Sequence, residues 1–213
     1  CIRDRKKLKS GEVSDKELND KVRRILRLIF RTTMNPNRPY GSFGTKEHAM
    51  TGRKVAQEGI VLLQNKENLL PIDKDRTKKI LVVGENAVKT LCDGGGSSTL
   101  KVKYEVSPLQ GIRTWAGRQV EVNYVAGYAS SKEANALQLR MEAAQAAEQA
   151  DIVLFVGGLN KNWNQDAEGA DRQTFDLPYQ QNELIDELAK VNSNVVVVLI
   201  AGNAVAMPWV KQV

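Results

Sequence analysis

The chain has 213 residues, 42% of them apolar, a length that can bury the core of one sizeable domain. No apolar stretch nears the ~20 residues of a membrane helix, and two cysteines, Cys1 and Cys92, with a lone His48, make neither a disulfide framework nor a metal cluster. The net charge of +6 is uneven: residues 1–31 hold eleven Lys and Arg against five Asp and Glu, while the remainder balances at twenty each. The excess reads as the solvated face of one amino-terminal helix, which argues against a nucleic-acid or membrane partner. The opening CIRDRKKLKS has no apolar h-region, so it is no signal peptide.

Ser14, with Glu17 three residues on, fits a capping box that starts a helix. Leu18, Val22, Ile25, Leu26, Ile29 and Phe30 recur on one face, and Lys21, Arg23, Arg24, Arg27 and Arg31 cover the other. Such a stripe must bury against something, yet only ten polar residues precede it, so the chain reads as a piece of a longer one. Asn35 to Gly44, NPNRPYGSFG, reads as an interdomain linker. Thr45 caps a second helix to about Glu58, and Gly59 breaks it. Ile60 to Leu63 is expected to form a short apolar strand. Ile80 to Gly84 and Val195 to Ile200 read as buried strands and Gln119 to Val125 as an alternating one. Helices are expected over 131–150 and from Pro178, in the first turn, to Lys190, with Leu184, Ile185 and Leu188 inward. Strands alternating with helices give an α/β fold with a mostly parallel sheet.

Two loops stand out. The apolar strand Ile152 to Val156 ends at Gly157 and Gly158 and opens a polar loop of about twenty residues, long for an α/β connection. It holds Asp166, Glu168, Asp171 and Asp176, with Trp163 and Arg172 among them. Carboxylates beyond the carboxyl end of a parallel strand lie where open α/β sheets place ligand chemistry. The second loop follows strand 80–84 and carries Cys92-Asp93-Gly94-Gly95-Gly96-Ser97-Ser98. Its glycines let the backbone approach a ligand, but the spacing fits neither GxGxxG nor a P-loop, which disfavours a nucleotide-binding domain.

The string Gly158-Leu159-Asn160, Trp163, Glu168-Gly169-Ala170-Asp171-Arg172, Leu177-Pro178 and Gln181 resembles the C-terminal α/β domain of glycoside hydrolase family 3. GEVSDKELNDKVRRILRLIF resembles the last helix of that family's amino-terminal (β/α)8 barrel, and Ala56 to Ile72 resembles the run that opens its second domain. The resemblance implies three parts: a barrel remnant over 1–34, a linker over 35–50, and a layered α/β/α sandwich over 51–213, incomplete at its carboxyl end. It implies the C-terminal part of a retaining, exo-acting, β-glucosidase-like enzyme without a cofactor. Its partners would be a glycoside or oligosaccharide and its own barrel, and a periplasmic or extracellular setting is suspected on the family's account alone.

Retaining hydrolysis needs a nucleophile and an acid/base, their carboxyls about 5–5.5 Å apart. The family's acid/base glutamate matches Glu168, with Asp166 and Asp171 as runners-up. Asp171 beside Arg172 also fits a loop-ordering ion pair or hydrogen-bond network. Asp93 and Ser97 could hydrogen-bond sugar hydroxyls, because the family's equivalent loop shapes the leaving-group subsite; the same segment also reads as a plain connection. Trp163 could stack on a pyranose or plug the loop onto the domain, whereas Trp115 and Trp209 read as packing residues. The family's nucleophile is an aspartate followed by tryptophan on the barrel, and no Asp-Trp dipeptide exists here. The isolated chain is therefore expected to be inactive. The rival reading is a non-catalytic, carbohydrate-contacting or structural module in which Glu168 takes no part in chemistry.

Overall fold

A computed structural model describes residues 2–92, 97, 99–160, 162, 165 and 171–213. The chain falls into two units, Cys1–Ile60 and Val61–Val213. The first holds α1 (Ile2–Lys9), α2 (Asp15–Arg31) and α3 (Lys46–Gly59). The capping box forms: the Ser14 hydroxyl accepts from the Glu17 N–H, and the Ser14 N–H donates to the Glu17 carboxylate at 2.9 Å. Thr45 caps α3 in the same way, accepting from the His48 N–H. No residue of α2 is buried, and Leu18, Val22, Ile25 and Phe30 are all exposed.

The second unit is built on a four-stranded, all-parallel sheet of β1 (Lys79–Val83), β2 (Glu121–Val125), β3 (Ile152–Gly158) and β4 (Val195–Ile200), in the order β2-β1-β3-β4. Alternation along the two central strands divides the core. Ile80 and Val82 of β1, with Ile152, Leu154 and Val156 of β3, pack on one face with Leu109 and Ala116 of α4 (Pro108–Ala116). Leu81, Val83, Val153 and Phe155 point the other way, against Ala143 and Ala147 of α5 (Ala136–Ala147) and Leu184, Ile185 and Leu188 of α6 (Gln181–Val191). Both faces are covered, so β1 from Ile80 on and β3 run apolar rather than alternating, as parallel strands do.

The expected α/β sandwich is therefore present, with corrections in detail. Ile60 to Leu63 is no strand: it lies outside the sheet, and its side chains are 63–77% exposed. Apolar character alone makes no strand; the backbone must find a ladder partner, and this run has none among the described residues. The helix expected from 131 starts at Ala136, because the Asn135 side chain accepts from the Gln138 N–H and caps it there. Pro178 stays outside α6, because Tyr179 and Gln180 take left-handed backbone, φ 60° and 58°, and delay the helix to Gln181. Trp209 is a packing residue, 3% exposed, with its indole N–H on Asn182. Trp115 is not: it is 40% exposed, with the Lys74 ammonium 4.5 Å from its ring centre.

Candidate functional site at the carboxyl edge

The chain runs from β1 outward to β2 and then returns to β3 on the other side of β1. The strand order reverses between β1 and β3, and ligands in open α/β sheets bind in the crevice beyond the carboxyl ends at such a point. The two strands are parallel neighbours in register, Val83 opposite Phe155. The loops that follow them, the glycine-rich one and the acidic one, therefore leave the same edge of the sheet.

The first loop begins at Gly84, with φ 126°. A Cβ here would run into the Val156 carbonyl, so glycine alone lets β1 end this close to β3. A single turn, Glu85–Ala87, follows. Asn86 is fully buried: its N–H donates to the Tyr128 hydroxyl at 3.2 Å, and its side-chain amide donates to the Leu159 carbonyl at 3.1 Å. That second bond ties the start of one loop to the start of the other. Glu85 accepts from the Ser130 N–H at 2.7 Å, the Ser130 hydroxyl at 2.8 Å and the Lys89 ammonium at 2.9 Å. Burial opposes ionisation of Glu85, but Lys89 and Ser130 outweigh it and hold the carboxyl below its ordinary range. Further along, the Cys92 thiol donates to the Glu105 carboxylate at 2.7 Å. That bond, with a second from Thr90, holds the Glu105 carboxyl below its ordinary range.

The acidic loop is held at both flanks. Gly158, with φ 108°, has no room for a Cβ against the Ile200 backbone. The fully buried Gln181 side chain grips its peptide group: Oε1 accepts from the Gly158 N–H at 2.8 Å, and Nε2 donates to the Gly158 and Pro178 carbonyls at 2.9 Å. One amide thus pins the first and last residues of the excursion together. Inside, the Asn160 N–H donates to Gln165, the Asn162 N–H donates to Asn160, and the side-chain amides of Asn162 and Gln165 both donate to the Tyr179 hydroxyl. On the far flank Arg172 donates to the Thr174 carbonyl, to Asn203 and to the Ala204 carbonyl, while the Ala206 N–H donates to the Phe175 carbonyl at 2.8 Å. Arg172 thus ties this flank to the segment after β4, and its described bonds go to Thr174, Asn203 and Ala204 rather than to the Asp171 carboxylate expected beside it.

Of the residues singled out in the sequence, Ser97 is exposed and Asp171 lies exposed beside Arg172. Glu168, Asp166, Asp93 and Trp163 lie outside the described residues. No group of three or more His, Cys, Asp and Glu side chains suited to a metal ion occurs among the described residues. Asn86, Glu85, Lys89 and Tyr179 escaped the sequence reading. The signal available for Asn86 was its position just beyond an apolar strand ending in glycine.

Residues 60–213 match the family model described as the glycosyl hydrolase family 3 C-terminal domain. The chain is 45% identical to Beta-glucosidase BoGH3A of Bacteroides ovatus, over 98% of its own length and 30% of that protein's. It is 34% identical to Thermostable beta-glucosidase B of Acetivibrio thermocellus, over 97% of its length and 27% of that protein's. The crystal structure of the Bifidobacterium adolescentis GH3 beta-glucosidase superposes with a TM-score of 0.80 at 30% identity, covering 97% of this chain and 29% of that one. The chain thus spans less than a third of the length of these relatives.

Proposed function

The chain belongs to glycosyl hydrolase family 3, and on that premise we propose that it forms the C-terminal part of a retaining, exo-acting β-glycosidase of β-glucosidase type. In this reading residues 1–34 are the last helix of an amino-terminal barrel, 35–50 the linker and 51–213 the α/β domain. The substrate is a glycoside or oligosaccharide with a terminal β-linked sugar. The acid/base is Glu168, delivered by the loop after β3. Asp93 and Ser97 contact the substrate on the leaving-group side, and Trp163 stacks on a sugar ring.

The observation that carries the reading is the edge itself: two loops leave neighbouring parallel strands at the switch point and are stitched together by the Asn86–Leu159 bond. A carboxyl group there would donate its proton to the glycosidic oxygen as a carboxylate from the barrel attacks the anomeric carbon. It would then take a proton from the water that releases the sugar. The non-catalytic alternative does not explain why an acidic excursion is tied at both flanks.

The test replaces Glu168, Asp166 and Asp171 one at a time with Ala in the complete enzyme. Glu168→Ala should lower turnover of alkyl β-glucosides by about 10²–10⁴-fold while sparing the glycosylation step with dinitrophenyl β-glucoside, whose leaving group needs no proton. Uniform loss across both substrates would make Glu168 structural. The selective pattern in Asp166→Ala or Asp171→Ala would move the role there.

A further inference from the structure

Tyr179 sits at the far end of the acidic loop in left-handed backbone, and Gln180 follows it in the same conformation. Two successive non-glycine residues in that region persist only where the surroundings over-determine them, and such strain gathers at functional sites. The surroundings here are specific. The Tyr179 ring stacks on Tyr128 with planes 6° apart and centres at 6.4 Å. Its hydroxyl accepts the Asn162 amide at 2.9 Å and the Gln165 amide at 2.6 Å, and Gln165 in turn holds the Asn160 N–H at 3.0 Å. Tyr128, buried in the core, donates to the Val156 carbonyl and accepts from the Asn86 N–H, so the stack rests on the ends of both β1 and β3. One phenol oxygen therefore joins residue 179, past the loop's carboxylates, to residues 162 and 165, just before them.

We propose that Tyr179 is a positioning residue for the acid/base. Its hydroxyl fixes the flank that leads into residues 166–171 and so sets where their carboxylate is presented to the glycosidic oxygen. The inference rests on the reading that this loop supplies the acid. The geometry favours positioning over mere stability, because the ring alone fills the packing position against Tyr128. The hydroxyl spends both its described contacts on the loop.

The test is Tyr179→Phe in the complete enzyme, which keeps the ring and removes only the oxygen. Misplacing a catalytic group is costly, so alkyl β-glucosides should lose roughly tenfold in kcat, less than the loss of the acid itself, with KM nearly unchanged. Dinitrophenyl β-glucoside should show a faster first step than steady state, and azide should recover part of the turnover. Asn162→Ala, which cuts the same knot from the other side, should reproduce this split, and amide exchange should quicken over 160–165 rather than across the sheet. An equal loss on all substrates with no azide response, or no change at all, would overturn the proposal. Glu168→Ala run alongside separates the two readings. If it lacks the leaving-group split while Tyr179→Phe shows it, Glu168 is wrong and Tyr179 positions another carboxylate of the loop. If Glu168→Ala shows the split and Tyr179→Phe does not, Tyr179 is structural.

Discussion

Gln181 is buried for a polar reason. A fully enclosed amide in a helix that otherwise presents Leu184, Ile185 and Leu188 to the core would be destabilising were its donors and acceptor not satisfied. It replaces ladder partners that β3 lacks where the chain leaves the sheet, serving the Gly158 N–H and two carbonyls at once. Gln181→Leu keeps the approximate volume and orphans those backbone groups. At roughly 1–3 kcal/mol for each buried group left unpaired, the variant should lose several kcal/mol. Urea unfolding of the 213-residue chain checks this: the midpoint should fall with the slope unchanged. A midpoint shift within error would mean that water serves those groups equally well.

At the scale of elements, the turn after β1 is held to the segment after β2 by Glu85, Lys89 and Ser130. Because the folded-state pKa of Glu85 is depressed, its contribution is fully present above the ordinary glutamate value of about 4.3. It is lost as pH falls through the lower folded value. Glu85→Gln should therefore cost about 1 kcal/mol or less at neutral pH, given that solvent still reaches the pair. The gap to the wild type should close progressively below pH about 4. Thermal melts across that range provide the check, and a gap that stays constant or widens toward acid would reverse the assignment.

The same scale shows what the sequence could reveal. The apolar runs Ile80–Val83, Ile152–Val156 and Val195–Ile200 were legible at once as strands, but the burial expected of the last did not follow: β4 is the edge of the described sheet, with only Val195 buried and Val198 44% exposed. α4 was not legible, although Ser107 accepts from the Gln110 N–H as its cap and Pro108 opens its first turn. Its nine residues carry too short a stripe to outweigh the glycine at position 111. Ile60 to Leu63 misled for the opposite reason: its composition suits a strand, but strand formation depends on a distant partner that no local pattern encodes. At the edge, the acidic loop was legible as a long polar excursion. Its supports were not, because the Tyr179 and Gln181 contacts join residues 14–23 positions apart, and even Gln181, part of the family-like string, carries no local sign of which groups it bonds.

Across the whole molecule, our reading divides function between what this chain holds and what an amino-terminal barrel would add. The carboxyl edge brings together the starts of two loops and a scaffold of Asn86, Tyr128, Tyr179 and Gln181; in our reading the acid/base carboxylate is carried by the second loop. The nucleophile required for double displacement belongs, in our reading, to the barrel. The central claim is that Glu168 of this chain is the acid/base of that shared reaction, and azide tests it most directly. In the complete enzyme carrying Glu168→Ala, water attacking the glycosyl-enzyme has no base, whereas azide needs none. Adding azide to the variant with dinitrophenyl β-glucoside should restore turnover and yield β-glucosyl azide, of retained configuration, identified by its anomeric proton coupling. No rescue, or an azide of inverted configuration, would contradict the account.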